Sequence, residues 1–446
     1  MDTNFVKSLK VSDNGRFLVT EDNIPFFWLA DTAWELFNRL NREEAIEYLE
    51  NRSGRGFTVI QAVALAECDG ILGGNAYGRK PLLQNSAGEY DPTLPDLSGD
   101  EGASGYNYWE HVDFIIDYAA RLGIYIALLP TWGDKFNKMW GKGPVIFKRN
   151  NAGIYGKWLG SRYKDRTNII WVLGGDRPLH TSEHFAIINA MAEGLKEGDE
   201  GSHLMTFHPV GECSSSLNLH NEDWLDFNMI QSGHGRQNIN NYDKVSADYE
   251  RLPVKPVVDA EPRYEDHPIG FNAEHGYFDE FDVRQAAYWA VFAGAFGHTY
   301  GHHSIWSMCK EPEDYFIMHW KDAIMRPAGN QMQHLRTLIE SRPFLDRIPD
   351  QSLVENYPGA NHVQATRGFD YAFIYSPNGL KLKVSMGKIS GEEVKAYWYD
   401  PRLGNSKYIG KFANSGTANF APPSSGRGND WVLVLDDAVK EYGIKG

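Results

Sequence analysis

Short apolar segments alternate with amphipathic segments through the first 345 residues. Eight apolar segments have the pattern of strands buried on both faces of a sheet, namely 26–30, 58–65, 124–129, 168–173, 204–208, 227–231, 256–261 and 297–306. Helical periodicity lies between them at about 43–53, 107–122, 151–164, 181–197, 242–251 and 282–296. Strand–helix alternation predicts a parallel sheet, and eight units predict closure into an α/β (β/α)8 TIM barrel.

The residues after the first strand distinguish a barrel from a doubly wound open sheet. An open sheet normally carries a glycine-rich phosphate-binding turn there, whereas residues 31–34 are Asp-Thr-Ala-Trp. The barrel is therefore favoured. Asn41 is the expected N-cap of the first helix, which has Glu43 and Glu44 in its first turn.

The pattern changes at both ends of the barrel. Asn14-Gly15 predicts the turn of an N-terminal hairpin between 9–11 and 17–19. After residue 345, strands are expected at 371–375, 394–399 and 431–435, with turn clusters and no helical pattern between them. We therefore expect a catalytic barrel over 1–345 and a small antiparallel β-sandwich domain over 346–446, which buttresses the barrel.

Composition narrows the class of protein. The 446 residues are 42% hydrophobic and 23% charged, as in a soluble globular protein, and the formal net charge is −15. That charge argues against nucleic acid or an anionic membrane as partner, and no apolar run reaches the length of a membrane span. Cys68, Cys213 and Cys309 show no CxxC spacing, so neither a zinc site nor a disulfide framework is indicated. Aromatic residues make up 13% of the chain, which suits either core packing or sugar stacking.

The N-terminal residues lack the apolar core of a signal peptide. A chain that natively begins here is expected in the cytoplasm, and one whose signal was removed is expected to be secreted or periplasmic. The sequence leaves both compartments open, and it leaves the oligomeric state open.

Polar and aromatic residues follow the predicted strands. The fourth strand ends in Gly174-Gly175-Asp176, where the glycines permit a sharp turn, and the seventh ends in Glu261 before Pro262. In a barrel these tips share the face that carries the active site. The complete set of tip residues is Asp31, Trp34, Gln61, Trp132, Asp134, Asp176, His208, His234, Glu261, Arg263, His302, His303 and Trp306.

Two carboxylates on strands across the lumen point to glycoside hydrolysis. Retaining glycosidases place a protonated carboxyl and an ionised carboxylate roughly 5 Å apart around the scissile bond. We assign Asp176 as the general acid/base and Glu261 as the nucleophile. Arg263 is expected to keep Glu261 ionised by charge pairing. The predicted substrate-binding residues are Asp31, Trp34, Gln61, Trp132, His208, His234, Arg263, Tyr264, His302 and Trp306.

Each assignment has a structural alternative. Asp176 could cap the next helix, and Glu261 could be a structural partner of Arg263. Asp259 lies on the same face of its strand as Glu261 and is a second candidate carboxylate. The histidines at 208, 234, 302 and 303 could bind a metal, as in barrel amidohydrolases, but the His-x-His typical of the first strand tip in those enzymes is missing. No metal or other cofactor is expected.

Several segments resemble the apiosidase-like barrel family. WLADTAWELF at 28–37 and LNREEA at 40–45 resemble its opening, and WVLGGD at 171–176 and DAEPRY at 259–264 resemble its catalytic strand ends. AYWYDPR at 396–402 and DWVL at 430–433 resemble the small β domain, named as collagen-binding, that often follows the barrel. The resemblance covers nearly the whole chain.

The resemblance implies a place in glycoside hydrolase family 140, whose characterised activity removes apiose from the pectic polysaccharide rhamnogalacturonan II. It also implies a retaining mechanism with an Asp acid/base on strand four and a Glu nucleophile on strand seven. The expected partner is therefore an oligosaccharide or polysaccharide. The alternatives are a related barrel glycosidase for an arabinofuranoside or β-glucoside, and a non-catalytic carbohydrate-binding protein.

Overall fold

A computed structural model describes residues 6–99 and 105–443. The strands up to the end of the barrel are β1 (Leu9–Val11), β2 (Leu18–Thr20), β3 (Pro25–Phe26), β4 (Trp28–Thr32), β5 (Val59–Val63), β6 (Leu82–Gln84), β7 (Tyr90–Pro95), β8 (Tyr125–Leu129), β9 (Ile169–Gly174), β10 (Met205–His208), β11 (Cys213–Ser214), β12 (Asn228–Gln231), β13 (Val257–Asp259) and β14 (Gly297–Tyr300). The α-helices are α1 (Leu36–Arg39), α2 (Arg42–Gly54), α3 (Tyr108–Arg121), α4 (Arg149–Tyr163), α5 (Ser182–Gly198), α6 (Ser216–Leu219), α7 (Asn241–Tyr249), α8 (Glu280–Phe292), α9 (His303–Trp306), α10 (Trp320–Ala323) and α11 (Pro327–Glu340).

The predicted TIM barrel is confirmed. Its strands pair in parallel in the order β10-β9-β8-β5-β4-β14-β13-β12. Between β10 and the residues that lead into β12, three hydrogen bonds join the ring: Asp226 N donates to Met205 O at 2.8 Å, Met205 N donates to Asp226 Oδ2 at 2.7 Å, and Thr206 Oγ1 donates to Phe227 O at 2.7 Å. All eight strands are buried throughout, which explains their continuous apolar sequences.

Side-chain caps fix where the helices around the barrel begin. Asn41 accepts a hydrogen bond from Glu44 N at 2.8 Å, and Glu44 Oε2 accepts one from Asn41 N at 2.9 Å, which confirms Asn41 as the N-cap of α2. Asn107 and Glu110 form the same reciprocal pair at the start of α3. These caps fix the start of α2, which precedes the second strand of the barrel, and the start of α3, which follows that strand.

Several predicted boundaries differ from the observed ones by a few residues, and the eighth predicted segment, 297–306, contains β14 followed by the short helix α9. The predicted helix over 282–296 is α8, which begins at Glu280 because Asp279 caps it and ends at Phe292, shortly before Gly294 at φ +118°. The predicted loop over 66–105 carries the antiparallel hairpin β6–β7. Residues 100–104 of that loop lie outside the described part of the chain.

An antiparallel β domain follows the barrel, as predicted. Its strands are β15 (Ile348–Pro349), β16 (Gln364–Arg367), β17 (Tyr371–Ser376), β18 (Leu382–Ser385), β19 (Glu393–Asp400), β20 (Asn405–Ala413), β21 (Thr417–Phe420) and β22 (Trp431–Asp437). A six-stranded sheet runs β15-β16-β17-β22-β19-β20, and the β18–β21 ribbon covers one of its faces over an apolar core that includes Trp398 and Phe420.

The other face of the six-stranded sheet packs on α8 of the barrel. Tyr375 stacks on Tyr288 with ring centroids 4.9 Å apart, and Phe373 stacks on Phe292 at 5.9 Å. Arg284 on α8 makes two hydrogen bonds to Asp430, at 3.0 and 2.8 Å, with both side chains buried. This interface fits the buttressing role expected from the sequence, and the division at residue 345 stays a prediction. Within the described ranges, no helix is long and apolar enough to cross a membrane.

Candidate active site

A cavity of about 730 Å³ opens at the carboxyl ends of the barrel strands. Seven of the predicted site residues line it: Trp34, Trp132, Asp176, His234, Glu261, Tyr264 and Trp306. These side chains come from segments that follow six different strands, so the cavity exists only in the closed barrel. Its size is in the usual range for small-molecule sites, roughly 300–1,000 Å³.

The backbone that carries Asp176 is tightly constrained. Gly174, Gly175 and Asp176 all have positive φ angles, of +93°, +102° and +55°. A Cβ atom on Gly174 would lie 2.5 Å from His208 O, and one on Gly175 would lie 2.9 Å from Gly133 N. Only glycine fits at these two positions, and the resulting turn aims Asp176 into the cavity.

Asp176 is in an environment that favours the protonated acid. Burial and the nearby charge of Glu261 raise its pKa, while Arg177, His208 and Gln231 act in the opposite direction. Arg177 Nη1 lies 2.9 Å from Asp176 Oδ2. A carboxyl that keeps its proton above its ordinary pKa is suited to donate it to a leaving group.

Glu261 is held in the opposite state. Burial acts to raise its pKa, but contacts with His208 and His234 lower it to about 2. His234 Nε2 lies 3.1 Å from Glu261 Oε1 in a hydrogen bond. His208 Nε2 lies 2.9 Å from Glu261 Oε2, off the axis of a good hydrogen bond, so this contact is mainly electrostatic. An ionised carboxylate only accepts hydrogen bonds, so the imidazole nitrogens facing it carry the protons.

Aromatic side chains form the walls around the two carboxyls. The ring centroids of Trp34 and Trp132 lie 5.1 Å apart. The rings of His208 and Trp34 meet edge to face, with their centroids 5.3 Å apart. The Tyr264 ring packs against His234 at 4.4 Å. Burial and the charge of Glu261 raise the pKa of Tyr264 well above its usual value, so its hydroxyl stays a neutral donor. Such walls exclude water and offer faces on which a sugar ring can stack.

Two of the predicted substrate-binding residues point away from the cavity. Asp31 is buried against α2, where Arg52 Nε and the Tyr48 hydroxyl contact its Oδ2 at 2.5 and 2.6 Å. Arg263 was expected to pair with Glu261, and that expectation is wrong. Its Nη1 donates instead to Gln237 O at 2.7 Å and to Gln285 Oε1 at 3.0 Å. The histidines, not Arg263, keep Glu261 ionised.

Gln61 and His302 also lie outside the cavity, although both are near it. Gln61 is inside β5, and its Nε2 donates to Ala260 O at 2.9 Å, directly before Glu261. His302 Nε2 lies 3.1 Å from Asp266 Oδ2, and its Nδ1 accepts from Ser304 N at the start of α9. Both side chains support the backbone around the site instead of facing a ligand.

The remaining sequence alternatives find other uses in the fold. Asp259 is fully buried, and its Oδ2 accepts hydrogen bonds from Ser232 Oγ at 2.7 Å and Asn241 Nδ2 at 3.0 Å. It is a structural carboxylate, which leaves Glu261 as the one that faces the cavity from this segment. Over residues 6–99 and 105–443, no group of three or more His, Cys, Asp or Glu side chains is arranged to hold a metal ion.

Sequence reasoning missed seven polar or aromatic residues that line the cavity: Glu67, Trp140, Glu212, Gln231, His267, Phe271 and Tyr315. Glu67 was detectable, since it follows the second strand just as Asp176 follows the fourth. Burial raises the pKa of Glu67 to about 7, against the opposing charge of Arg177. Trp140 and Phe271 lie on irregular loops, with 59% and 61% of their surface exposed at the cavity mouth.

Comparisons with known proteins agree with this architecture. A family model described as "Apiosidase-like, catalytic domain" matches residues 12–346, and one described as "Putative collagen-binding domain of a collagenase" matches residues 348–436. A search of curated proteins found no match.

Solved structures give the same result. One named "Glycoside hydrolase" is 37% identical, with a TM-score of 0.86 and 98% of each chain covered. A second, a glycoside hydrolase family 5 protein from Bacteroides vulgatus ATCC 8482, is 36% identical, with a TM-score of 0.86 over 98% of this chain and 94% of the other. An α-amylase from Geobacillus thermoleovorans shares the fold alone, at 9% identity and a TM-score of 0.54 over 93% of this chain and 99% of the other. The chain therefore belongs to the apiosidase-like family and is a glycoside hydrolase with a carbohydrate substrate.

Proposed function

We propose that the protein is a retaining, exo-acting glycosidase that removes a terminal apiose residue from a pectic plant cell-wall glycan. Asp176 is the general acid/base and Glu261 is the nucleophile. The observation that carries this proposal is the opposite perturbation of two carboxyls that line one cavity: the pKa of Asp176 is raised, and that of Glu261 is lowered to about 2. Pairs of titratable groups whose pKa values are pushed apart divide acid and base roles between them.

The first step forms a covalent glycosyl-enzyme. A carboxylate oxygen of Glu261 attacks the anomeric carbon as the bond to the leaving oxygen breaks, and Asp176 gives its proton to that oxygen. His208 and His234 hold Glu261 ionised for the attack. The Tyr264 hydroxyl is a further neutral donor on this wall of the cavity.

The second step releases the sugar and restores both carboxyls. Asp176, now ionised, takes a proton from water, the water oxygen attacks the anomeric carbon, and Glu261 departs as a carboxylate. Arg177 Nη1, 2.9 Å from Asp176 Oδ2, stabilises the ionised form that this step needs. The configuration at the anomeric carbon is inverted twice and so retained.

The choice of apiose rests on the family match over residues 12–346, and the assignment to family 140 belongs to the same proposal. A different sugar, such as an arabinofuranoside or a β-glucoside, is the second candidate. It is favoured by the 36% identical structure that carries a family 5 name. A shared barrel does not determine the sugar that is cleaved.

The test is hydrolysis of a panel of aryl glycosides and pectic oligosaccharides by the wild type, Asp176→Ala and Glu261→Ala. Release of apiose that is lost in both variants, with azide giving an apiosyl azide of retained configuration in Asp176→Ala and of inverted configuration in Glu261→Ala, supports the sugar and both roles. Cleavage of another glycoside with the same variant pattern keeps the mechanism and replaces the sugar. If either variant keeps near-full rate, the catalytic pair is wrong. If no glycoside in the panel is cleaved, the proposed sugar is wrong.

A further inference from the structure

Arg177 lies between two carboxylates that line the active-site cavity. Its Nη1 is 2.9 Å from Asp176 Oδ2, and its Nη2 is 3.3 Å from Glu67 Oε1. The side chain of Arg177 is fully buried, whereas those of Asp176 and Glu67 are 23% and 22% exposed toward the cavity. The guanidinium therefore bridges the proposed acid/base to a carboxylate for which the catalytic mechanism has no use.

The surrounding chain holds this bridge in place. The Trp140 ring covers the guanidinium, with its centroid 4.4 Å from Arg177 Cζ. A Cβ atom on Gly133 would lie 2.7 Å from Arg177 Cγ, and one on Gly141 would lie 2.7 Å from Nη2. The aliphatic stem of Arg177 is thus packed against Gly133, and its guanidinium against Gly141 and one indole face, which restricts its movement away from either carboxylate.

We propose that Glu67 is a positioning residue that fixes the Arg177 guanidinium and offsets its charge, so that Asp176 keeps the proton it must give to the leaving group. The inference rests on the proposed acid/base role of Asp176. An arginine beside a catalytic acid favours the ionised form, which helps the water-activating step but weakens the proton-donating step. A second carboxylate on the same guanidinium restores the balance between the two steps.

The other charged groups around Glu67 belong to several elements. Asp176, Asp134 and Glu35 all add negative potential. Asp134 is paired with Lys135 at 2.7 Å, and Glu35 lies 3.6 Å from Arg39. Around Asp176, the facing groups are Glu261, Arg177, His208 and Gln231. Arg177 is thus the cation that contacts both carboxyls, and its charge is the one that Glu67 offsets.

The sign of the effect follows from these contacts. Burial raises the pKa of Glu67 to about 7, so Glu67 carries its charge, and opposes the pull of Arg177 on the proton of Asp176, only as the pH approaches and passes that value. Removing the charge of Glu67 lets Arg177 act alone, which lowers the pKa of Asp176. The alkaline limb of kcat/KM, where Asp176 loses its proton, then moves to lower pH.

The test is the pH dependence of kcat/KM for Glu67→Gln, measured on an alkyl glycoside, whose poor leaving group needs the proton, and on a nitrophenyl glycoside, whose leaving group does not. On the alkyl glycoside we expect the alkaline limb to move down by about one pH unit, the size of a nearby-charge effect. On the nitrophenyl glycoside we expect Glu67→Gln to lose a smaller fraction of its rate than on the alkyl glycoside. Glu67→Asp, which keeps the charge, should recover part of the shift.

Two further variants separate charge tuning from loss of structure. Glu212→Gln removes another cavity carboxylate and should move the limb by less than half as much as Glu67→Gln. Arg177→Gln should move it to higher pH. The proposal is overturned if a folded Glu67→Gln protein keeps the wild-type limb, or if Glu67→Gln and Arg177→Gln move it in the same direction. If Glu67→Gln does not fold, Glu67→Asp is measured in its place. An alkaline limb at the wild-type pH in Glu67→Asp supports the proposal, and a limb at the pH found for Arg177→Gln overturns it.

The outcome also distinguishes this proposal from the one on which it rests. Asp176→Ala should lose far more rate on the alkyl glycoside than on the nitrophenyl glycoside. If Asp176→Ala loses the same fraction of its rate on both substrates, the acid/base assignment is wrong, and the role of Glu67 is wrong as well. If Asp176→Ala behaves as expected and the limb of Glu67→Gln does not move, only the role of Glu67 is wrong.

Discussion

Replacing His208 with leucine should convert Glu261 into a more ordinary carboxyl. The pKa of Glu261 lies at about 2 against an ordinary 4.5, so the lowering is roughly 2.5 and is produced by two imidazoles against the opposing effect of burial. Because burial remains, losing one imidazole should remove at least half of the net effect. The pKa should therefore rise by more than about 1, a loss of roughly 2 kcal/mol of preference for the carboxylate.

The measurement is kcat/KM against pH on a nitrophenyl glycoside, where the nucleophile limits the rate and the acid does not. The wild type should keep its rate down to the pH at which it unfolds, since Glu261 stays ionised. The variant should lose rate on the acidic side with an apparent pKa between about 3 and 5. His203→Leu is a matched control, because His203 contacts Asp199 at 2.9 Å in another buried pair. If the His208→Leu profile superimposes on that of the wild type, the histidines do not hold Glu261 ionised.

Three further predictions follow from the turn, the interface and the cavity mouth. Gly175→Ala places a methyl group 2.9 Å from Gly133 N at φ +102° and should lower kcat about 100-fold by displacing Asp176; an unchanged kcat would contradict the tight turn. Asp430→Ala leaves Arg284 buried without its partner and should cost about 3–5 kcal/mol in thermal or urea unfolding, whereas a loss below 1 kcal/mol would show that the β domain is not a support of the barrel. Trp140→Ala should raise KM for an oligosaccharide more than for an aryl monosaccharide, and equal effects would place the indole outside the leaving-group region.

The barrel was predictable because its strands are buried on both faces and alternate regularly with helices. Such strands give continuous apolar runs, and some runs are bounded by a helix with a side-chain cap, such as α2 with Asn41. The same property hides the direction of individual side chains. Asp31 lies within β4 and faces α2, while Gln61 lies within β5 and reaches across to Ala260 O. An unbroken apolar run carries no alternation from which either direction can be read.

The candidate site was predictable where a residue directly follows a strand. Asp176, Glu261 and Trp132 all reach the cavity, because the end of a barrel strand fixes the position of the next few residues. Trp140 and Phe271 could not be placed in this way, since their loops leave the barrel and fold back over its mouth. The choice of Arg263 as partner of Glu261 failed because neighbours in sequence at a turn point in different directions, and the two histidines come from other strands.

In the proposed mechanism Glu261 attacks the sugar while Asp176 supplies the proton. The most direct measurement is mass spectrometry of the enzyme after reaction with a 2-deoxy-2-fluoro glycoside that has an activated leaving group, which slows the release of a covalent sugar. We expect one added glycosyl group, located after digestion on the peptide that contains Glu261 and missing in Glu261→Ala. A glycosyl group on another carboxylate, or turnover that gives the inverted anomer with no adduct, would contradict it.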